Sequence, residues 1–187
     1  MSGIIGISPD MRSGVVGKPP IGNVIQIVTG SAVASSGHSG NSVAMGTTVT
    51  NPRPTHNQGV SIGTQSFTPR FSNSNILVQT NNIYMSERAN ASDHFHLFLQ
   101  DNTASTVLSH MAMYAPFGIV TFGNHGGVCN LNHAFASWGT TARTLEFRIG
   151  TDGGTSTNFI WNPYYNSGSR NTTETGQFHW TLKEISQ

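Results

Sequence analysis

The sequence predicts an all-β protein, an antiparallel β-sandwich preceded by an extended N-terminal arm. Short segments with an apolar residue at every second position recur through residues 43–187, which is the pattern of half-buried strands. Clusters rich in Gly, Asn, Asp and Ser separate these segments and mark turns. No segment shows a convincing helical pattern. Seven or eight such strands without helices indicate an antiparallel sandwich or barrel, and a domain of this length with eight strands fits a jelly roll.

The arm and its linker are predicted over residues 1–42. Its first twenty residues, MSGIIGISPDMRSGVVGKPP, contain four Gly and three Pro, which exclude a stable helix. The same stretch carries more apolar side chains than a solvated tail usually keeps: Ile4, Ile5, Ile7, Met11, Val15 and Val16. Within the arm and linker, Asn23–Val28 is predicted to be a first strand, and Thr29–Ser42 a linker of small residues with room for one more weak strand.

The later strands are predicted from their alternation. In chain order they lie within Ser66–Met85, Asp93–Gln100, Ser105–Tyr114, Phe117–Gly123, Val128–Trp138, Arg143–Gly150, Thr157–Trp161 and Gln177–Ser186. Arg143–Gly150 shows the clearest pattern. Two sets of its residues are predicted on opposite faces: Leu145, Phe147 and Ile149 inward, and Thr144, Glu146 and Arg148 outward.

Composition narrows the functional classes. Only 9% of the residues are charged and the net charge is +1, so no electrostatic case exists for a nucleic acid or acidic membrane partner. The low charge favours a protein that belongs to an assembly. The single cysteine, Cys129, excludes an internal disulfide. No apolar run approaches the 18 or so residues of a membrane helix.

Two histidines form the weak metal candidate. His94 and His96 are two residues apart in a predicted strand, so both project from one face and can ligate a metal if further ligands approach, such as Asp93 or His110. The alternative is a solvent-exposed or interfacial face whose imidazoles are satisfied by neighbours. We adopt that alternative, and we predict neither a metal nor any other cofactor.

No enzyme activity is predicted. Cys129 lies near His125 and His133, but its apolar strand context indicates a buried thiol rather than a nucleophile. The eight acidic residues are scattered, and no pair of carboxylates stands out for glycoside hydrolysis.

Residues 159–171 form the best candidate for ligand recognition. Aromatic rings for stacking and polar groups for hydrogen bonds stand close together, as sugar binding needs: Trp161, Tyr164, Tyr165, Asn162 and Arg170. The alternative is that these rings pack in the core or at a subunit interface.

Three segments resemble small structural proteins of tailed phages, especially those of marine and cyanobacterial hosts. The opening "SGIIG…SGVVG" is similar to the start of such proteins, and "FTPRFSNSNILVQ" resembles a "TPKF…SKILV" segment of phage fibre and head-decoration domains. The closing "FHWTLKEIS" resembles a final strand ending "TLMEI", with matches at Thr181, Leu182, Glu184 and Ile185. The resemblance implies a trimeric jelly roll like the heads of tumour necrosis factor and C1q.

The same resemblance implies a virion protein. We expect a trimeric capsid decoration or cement protein, a head-fibre protein on the capsid surface, whose arm binds the major capsid protein or another virion protein. The alternative for the arm is that it folds back on its own trimer. The alternative function is a tail- or head-fibre tip that binds a host surface glycan. Heads of this type bury terminal strands around a threefold axis, which implies an interface at Phe178, Trp180, Leu182 and Ile185.

Overall fold

The structure is a computed structural model that describes residues 21–33, 53–87, 93–115, 125–151, 159–161, 163–166, 169–175 and 177–187. All regular secondary structure in these ranges is β-strand. In chain order the strands are β1 (Val24–Val33), β2 (Val60–Phe67), β3 (Asn75–Thr80), β4 (Ile83–Glu87), β5 (Asp93–Asp101), β6 (Thr106–Ala115), β7 (His125–Cys129), β8 (Asn132–Ala136), β9 (Arg143–Thr151), β10 (Phe159–Trp161), β11 (Pro163–Asn166), β12 (Ser169–Thr175) and β13 (Gln177–Ile185). No described segment forms a helix of the length and apolarity that a membrane span requires.

Two four-stranded antiparallel sheets form the sandwich. The first sheet has the order β1-β13-β3-β8 and the second has the order β2-β9-β5-β6. The strands β4 and β7 continue β3 and β8 and pair with each other in the same way. The strand β10 pairs with β4, and β11 pairs with β12. Among the eight strands of the two four-stranded sheets, successive strands alternate between the sheets except at the β5–β6 hairpin. This is the strand order of a jelly roll, so the predicted fold class is confirmed.

The core lies between the inner faces of the two sheets. The inward set predicted for β9 is fully buried: Leu145, Phe147 and Ile149. Three aromatic rings from both sheets meet at the centre, with Phe147 4.8 Å from Trp180 and 5.5 Å from Phe178 between ring centroids. These rings remove a large apolar area from water, which is the main stabilising contribution to a fold of this kind.

The indole of Trp180 fits because two glycines lie against it. A Cβ atom added to Gly30 in β1 would overlap the ring, and one added to Gly63 in β2 would stand 2.6 Å from it. Both positions are far closer than a van der Waals contact allows. Because these two positions carry no side chain, the indole fits beside Gly30 of its own sheet and against Gly63 of the second sheet.

The outward set predicted for β9 is exposed to solvent only at Thr144. Glu146 is only 7% exposed and Arg148 is half-buried, and on the neighbouring strand Gln100 is fully buried. The segment 53–59 lies over this outer face of the second sheet, and its Asn57 donates a backbone hydrogen bond to Gln100. Strand periodicity identifies two faces, but it does not report that a distant segment covers the polar one.

Several boundaries differ from the prediction. β1 runs to Val33 inside the predicted arm and linker, and its ten residues form an edge strand of the sandwich. The predicted strand Val128–Trp138 is divided into β7 and β8. Most of β2 lies outside the predicted strands, because a bulge between Ser61 and Gly63 interrupts its alternation. The predicted strand Phe117–Gly123 and the first twenty residues lie outside the described residues.

Candidate functional site

A polar pocket opens at one edge of the sandwich, between β6 of the second sheet and β8 of the first. Its volume is about 290 Å³. Polar and apolar side chains share its lining: Arg53, Pro54, Val107, Leu108, Ser109, His110, Met111, Asn130, Leu131, Asn132 and His133. Three separate segments therefore build it, namely the stretch before β2, the strand β6, and the turn between β7 and β8 with the start of β8.

His110, which lines this pocket, stacks on a second histidine behind it. His96 is fully buried on the outer face of β5, and its Nδ1 lies 2.8 Å from Nε2 of His110 on β6. The two rings are parallel within 14° and their centroids are 5.1 Å apart. The ring of His94 is 6.4 Å from that of His96. Within the described ranges, no three His, Cys, Asp or Glu residues are grouped as metal ligands.

Acidification is expected to destabilise the protein through His110. Burial, and then the positive charge of Arg53, hold the pKa of His110 below its ordinary value of 6.5. The unfolded chain then binds this proton more tightly than the folded protein does. The stability contribution is therefore complete above about pH 6.5 and is lost as the pH falls through the lower folded-state pKa.

Thermal unfolding at a series of pH values tests this expectation. Between pH 7 and pH 5 the melting temperature should fall more in the wild type than in His110→Gln, while His179→Gln, on the exposed face of β13, should follow the wild type. Besides Arg53, the imidazoles of His96 and His133 are the titratable groups placed around His110, since they stack on it or share its pocket. An identical pH dependence in His110→Gln and wild type would contradict the assignment.

A buried polar network holds segment 53–59 against the second sheet. Arg148 donates from Nη1 to Glu146 at 2.9 Å and from Nη2 to the Gly59 carbonyl at 2.7 Å. Gln100 donates to the same carboxylate at 2.7 Å. Burial by itself raises the pKa of Glu146, but hydrogen bonds from Ser61 and other polar groups, with the charge of Arg148, leave it lowered. The network thus fixes the segment that delivers Arg53 and Pro54 to the pocket.

A second buried carboxylate joins two distant parts of the chain. Glu184 on β13 is fully buried, and it accepts hydrogen bonds from the backbone amides of Arg70 and Phe71 at 2.9 Å and from the hydroxyl of Ser74 at 2.7 Å. The side chain of Gln26 donates to it at 2.8 Å. The segments FTPRFSNSNILVQ and TLKEI, which were singled out in the sequence, therefore contact each other through this carboxylate.

The thiol of Cys129, which the sequence predicts to be buried, is buried in the structure. Cys129 is 2% exposed, and burial raises its pKa to about 12. The carboxylate of Asp101 is paired with Arg143 at 2.5 Å. Neither group has the exposure or the activating neighbour that a nucleophile or a general acid needs.

Of the four residues predicted at a trimer interface, three pack inside a single chain. The buried members are Phe178, Trp180 and Leu182, which belong to the core between the two sheets. Ile185 lies on the opposite face of β13 and is half-buried. The face of β13 that carries Phe178, Trp180 and Leu182 is therefore covered by the chain's own second sheet.

The predicted recognition residues fall mainly on short strands. Trp161 ends β10, Tyr164 and Tyr165 lie in β11, and Arg170 lies in β12. The backbone register places Tyr165 opposite Arg170 in the β11–β12 hairpin. Asn162 lies outside the described residues. So do the predicted anchors of the arm, which are Ile4, Ile5, Ile7, Met11, Val15 and Val16.

Sequence reasoning missed the pocket as a site. Arg53, His110 and His133 are 23 or more positions apart and share no motif. The sequence does show an arginine, Arg53, in a segment with few charged residues. It also shows a histidine in each of two strands, His110 in β6 and His133 in β8, which form edges of the two sheets. Their proximity depends on which strands form the edges of the sandwich.

Comparison with known proteins adds likenesses in overall structure. No family model and no curated protein matches the sequence. VP2 of infectious bursal disease virus, in a subviral particle, is similar with a TM-score of 0.38 and 11% identity over 99% of this chain. A chain from the T13 particle of the same virus is similar with a TM-score of 0.38 and 10% sequence identity over 100% of this chain. The chain spans only 38% and 40% of those two chains. A protein of the full particle of Israeli acute paralysis virus is similar with a TM-score of 0.29 and 10% sequence identity. The match covers 99% of this chain and 81% of that chain.

Proposed function

We propose that the protein is a structural virion protein, a trimeric decoration or cement protein that stabilises the capsid of a tailed phage. The low charge and the sequence resemblance support this function. The observation that carries it is an apolar surface where the arm enters the sandwich. Ile21 is 84% exposed, Val24 46% and Ile27 57%.

These residues form a cluster rather than a scatter. Of the five exposed large apolar side chains among the described residues, three fall within positions 21–27. Single exposed apolar residues are normal on a protein surface, whereas a contiguous group marks an interaction site. The cluster continues the run of apolar residues in the preceding arm, from Ile4 to Val16. A partner that binds the arm can therefore also cover this surface.

The backbone of β1 offers the same partner a second contact. β1 is at the edge of the first sheet, and no described strand pairs with its outer side. An open edge of this kind can accept an extended segment by backbone hydrogen bonding. We assign the partner as the major capsid protein or another virion protein. A capsid is built from many copies of its protein, and each copy can offer an extended segment to the edge of one β1 strand.

Trimerisation is assigned to the outer face of the first sheet. Ile185 lies on that face and is only half-buried in the single chain. A second copy would remove the rest of this side chain from water. Because Phe178, Trp180 and Leu182 are already buried within one chain, the outer face is the side of β13 available to a neighbour.

Cosedimentation with capsids that lack this protein tests the proposal. A chain without residues 1–20, and the full chain with Ile21→Asp, are expected to lose capsid affinity at least tenfold. Val128→Asp is the matched control, since Val128 is 51% exposed but lies on β7, away from β1. Light scattering should give each variant three times the mass of its own single chain, which is 20.0 kDa for the full-length protein. Unchanged binding without the arm, or a stable single chain, would contradict the proposal.

The second candidate function is a fibre tip that binds a host surface glycan. The β11–β12 hairpin supports it, because its register pairs Tyr165 with Arg170 and brings an aromatic and a cationic residue to one position. Full-length protein that does not bind capsids but is retained on host-cell polysaccharide would favour this alternative.

A further inference from the structure

The pocket between β6 and β8 has cationic and amide groups with no described carboxylate to balance them. Arg53 is exposed at its rim, and its charge is felt by His110 at the back. The carboxylates whose side chains the structure describes are engaged elsewhere: Asp101 with Arg143, Glu146 with Arg148, and Glu184 with the amides of Arg70 and Phe71. An anionic ligand would supply the missing charge.

The guanidinium of Arg53 suits an oxyanion. Its planar fork of N–H donors matches two oxygens of a carboxylate or of a phosphate, so inorganic phosphate is a comparison probe in the test below. His110 and His133 add ring nitrogens to the same pocket. A carboxylate in this pocket gains charge attraction from the Arg53 guanidinium and can accept directed hydrogen bonds from the guanidinium and from a ring N–H of His133.

The remaining lining suits a small polyhydroxylated ring. The volume of about 290 Å³ is at the lower end of small-molecule pockets and accommodates one ring of sugar size. The amides of Asn130 and Asn132 can donate to and accept from hydroxyl groups. Val107 and Met111 provide apolar surface for the C–H face of such a ring.

We propose that this pocket binds a monosaccharide-sized carboxylate, a uronic acid, with Arg53 contacting the carboxylate and Asn130 and Asn132 contacting the ring hydroxyls. This inference is independent of the capsid role, because it uses the opposite edge of the sandwich from β1. The ligand could be a free sugar acid or a terminal residue of an acidic polysaccharide, since both present the same chemistry.

Titration calorimetry of the full chain with D-glucuronate tests the proposal, with D-glucose and inorganic phosphate as comparison probes. Glucuronate should bind at least tenfold more tightly than either. Arg53→Gln should weaken glucuronate binding at least tenfold. Arg70→Gln is the matched control, because Arg70 is also exposed but lies in the turn between β2 and β3; it should change the affinity less than twofold.

Each other outcome overturns the inference. Equal affinity for glucose would mean that the carboxylate is not recognised. Equal affinity for phosphate would mean that the pocket binds any small anion and does not recognise the sugar ring. Asn132→Ala, an exposed position, provides a second variant and should weaken glucuronate binding without altering thermal unfolding. Comparison of free glucuronate with a glucuronate-terminated oligosaccharide separates the two sources.

Discussion

Replacing Glu184 by alanine is expected to lower the free energy of unfolding by about 3–5 kcal/mol, measured by urea denaturation. The substitution removes the acceptor of two backbone amides, of the Ser74 hydroxyl and of the Gln26 amide. Since Glu184 is fully buried, water cannot readily replace it. The turn that carries Arg70 and Phe71 would lose its attachment to β13.

Two further variants make this result specific. Glu184→Gln keeps the shape but puts an N–H₂ group against donors, so it should cost about 1–3 kcal/mol. Lys183→Ala changes the neighbouring residue on the opposite face of the strand and should cost no more than about 1 kcal/mol. A loss for Glu184→Ala no larger than that of Lys183→Ala would show that the carboxylate does not hold the turn.

The second large effect is expected where Trp180 packs between two glycines. Trp180→Ala should cost about 3–5 kcal/mol, since it empties the centre of the core. Gly63→Ala should cost about 1–3 kcal/mol by the same urea measurement. The reason is that the added methyl would stand 2.6 Å from the indole in the present packing.

A double-mutant cycle isolates the contact between these two residues. In a Trp180→Phe background the smaller ring leaves room for the methyl group, so Gly63→Ala should cost at least about 1 kcal/mol less than it does in the wild type. Additive effects would mean that the cost of Gly63→Ala arises from the backbone rather than from the indole.

The contact at Glu184 joins the segments FTPRFSNSNILVQ and TLKEI of this chain. The two quoted segments lie more than 100 positions apart, yet one carboxylate binds the turn of the first to the strand of the second. A jelly roll must bring its last strand beside its third, and here β13 pairs with β3 directly next to this joint. The two segments thus contain residues that close the fold, while the proposed capsid contact uses β1 and the arm.

Local sequence pattern was enough to predict the fold class and the strongest strands. β5, β9 and β13 carry an apolar residue at every second position of their inner faces, although Phe98 on the other face of β5 is buried as well. Such a series can be buried on one side only if the backbone is extended. The pattern therefore predicts the correct face for Phe95, Leu97 and Leu145, which are all fully buried. Strand periodicity is a local property, and it needs no knowledge of the partner strand.

The burial of polar residues and the position of the pocket became visible only in the folded chain. Glu146 and Gln100 have the pattern of solvent-facing residues, and they are buried because segment 53–59, from a different part of the chain, lies over them. Similarly, Arg53, His110 and His133 line one pocket because β6 and β8 are both edges of their sheets. Contacts between distant segments depend on strand order, and strand order follows from how the whole chain packs.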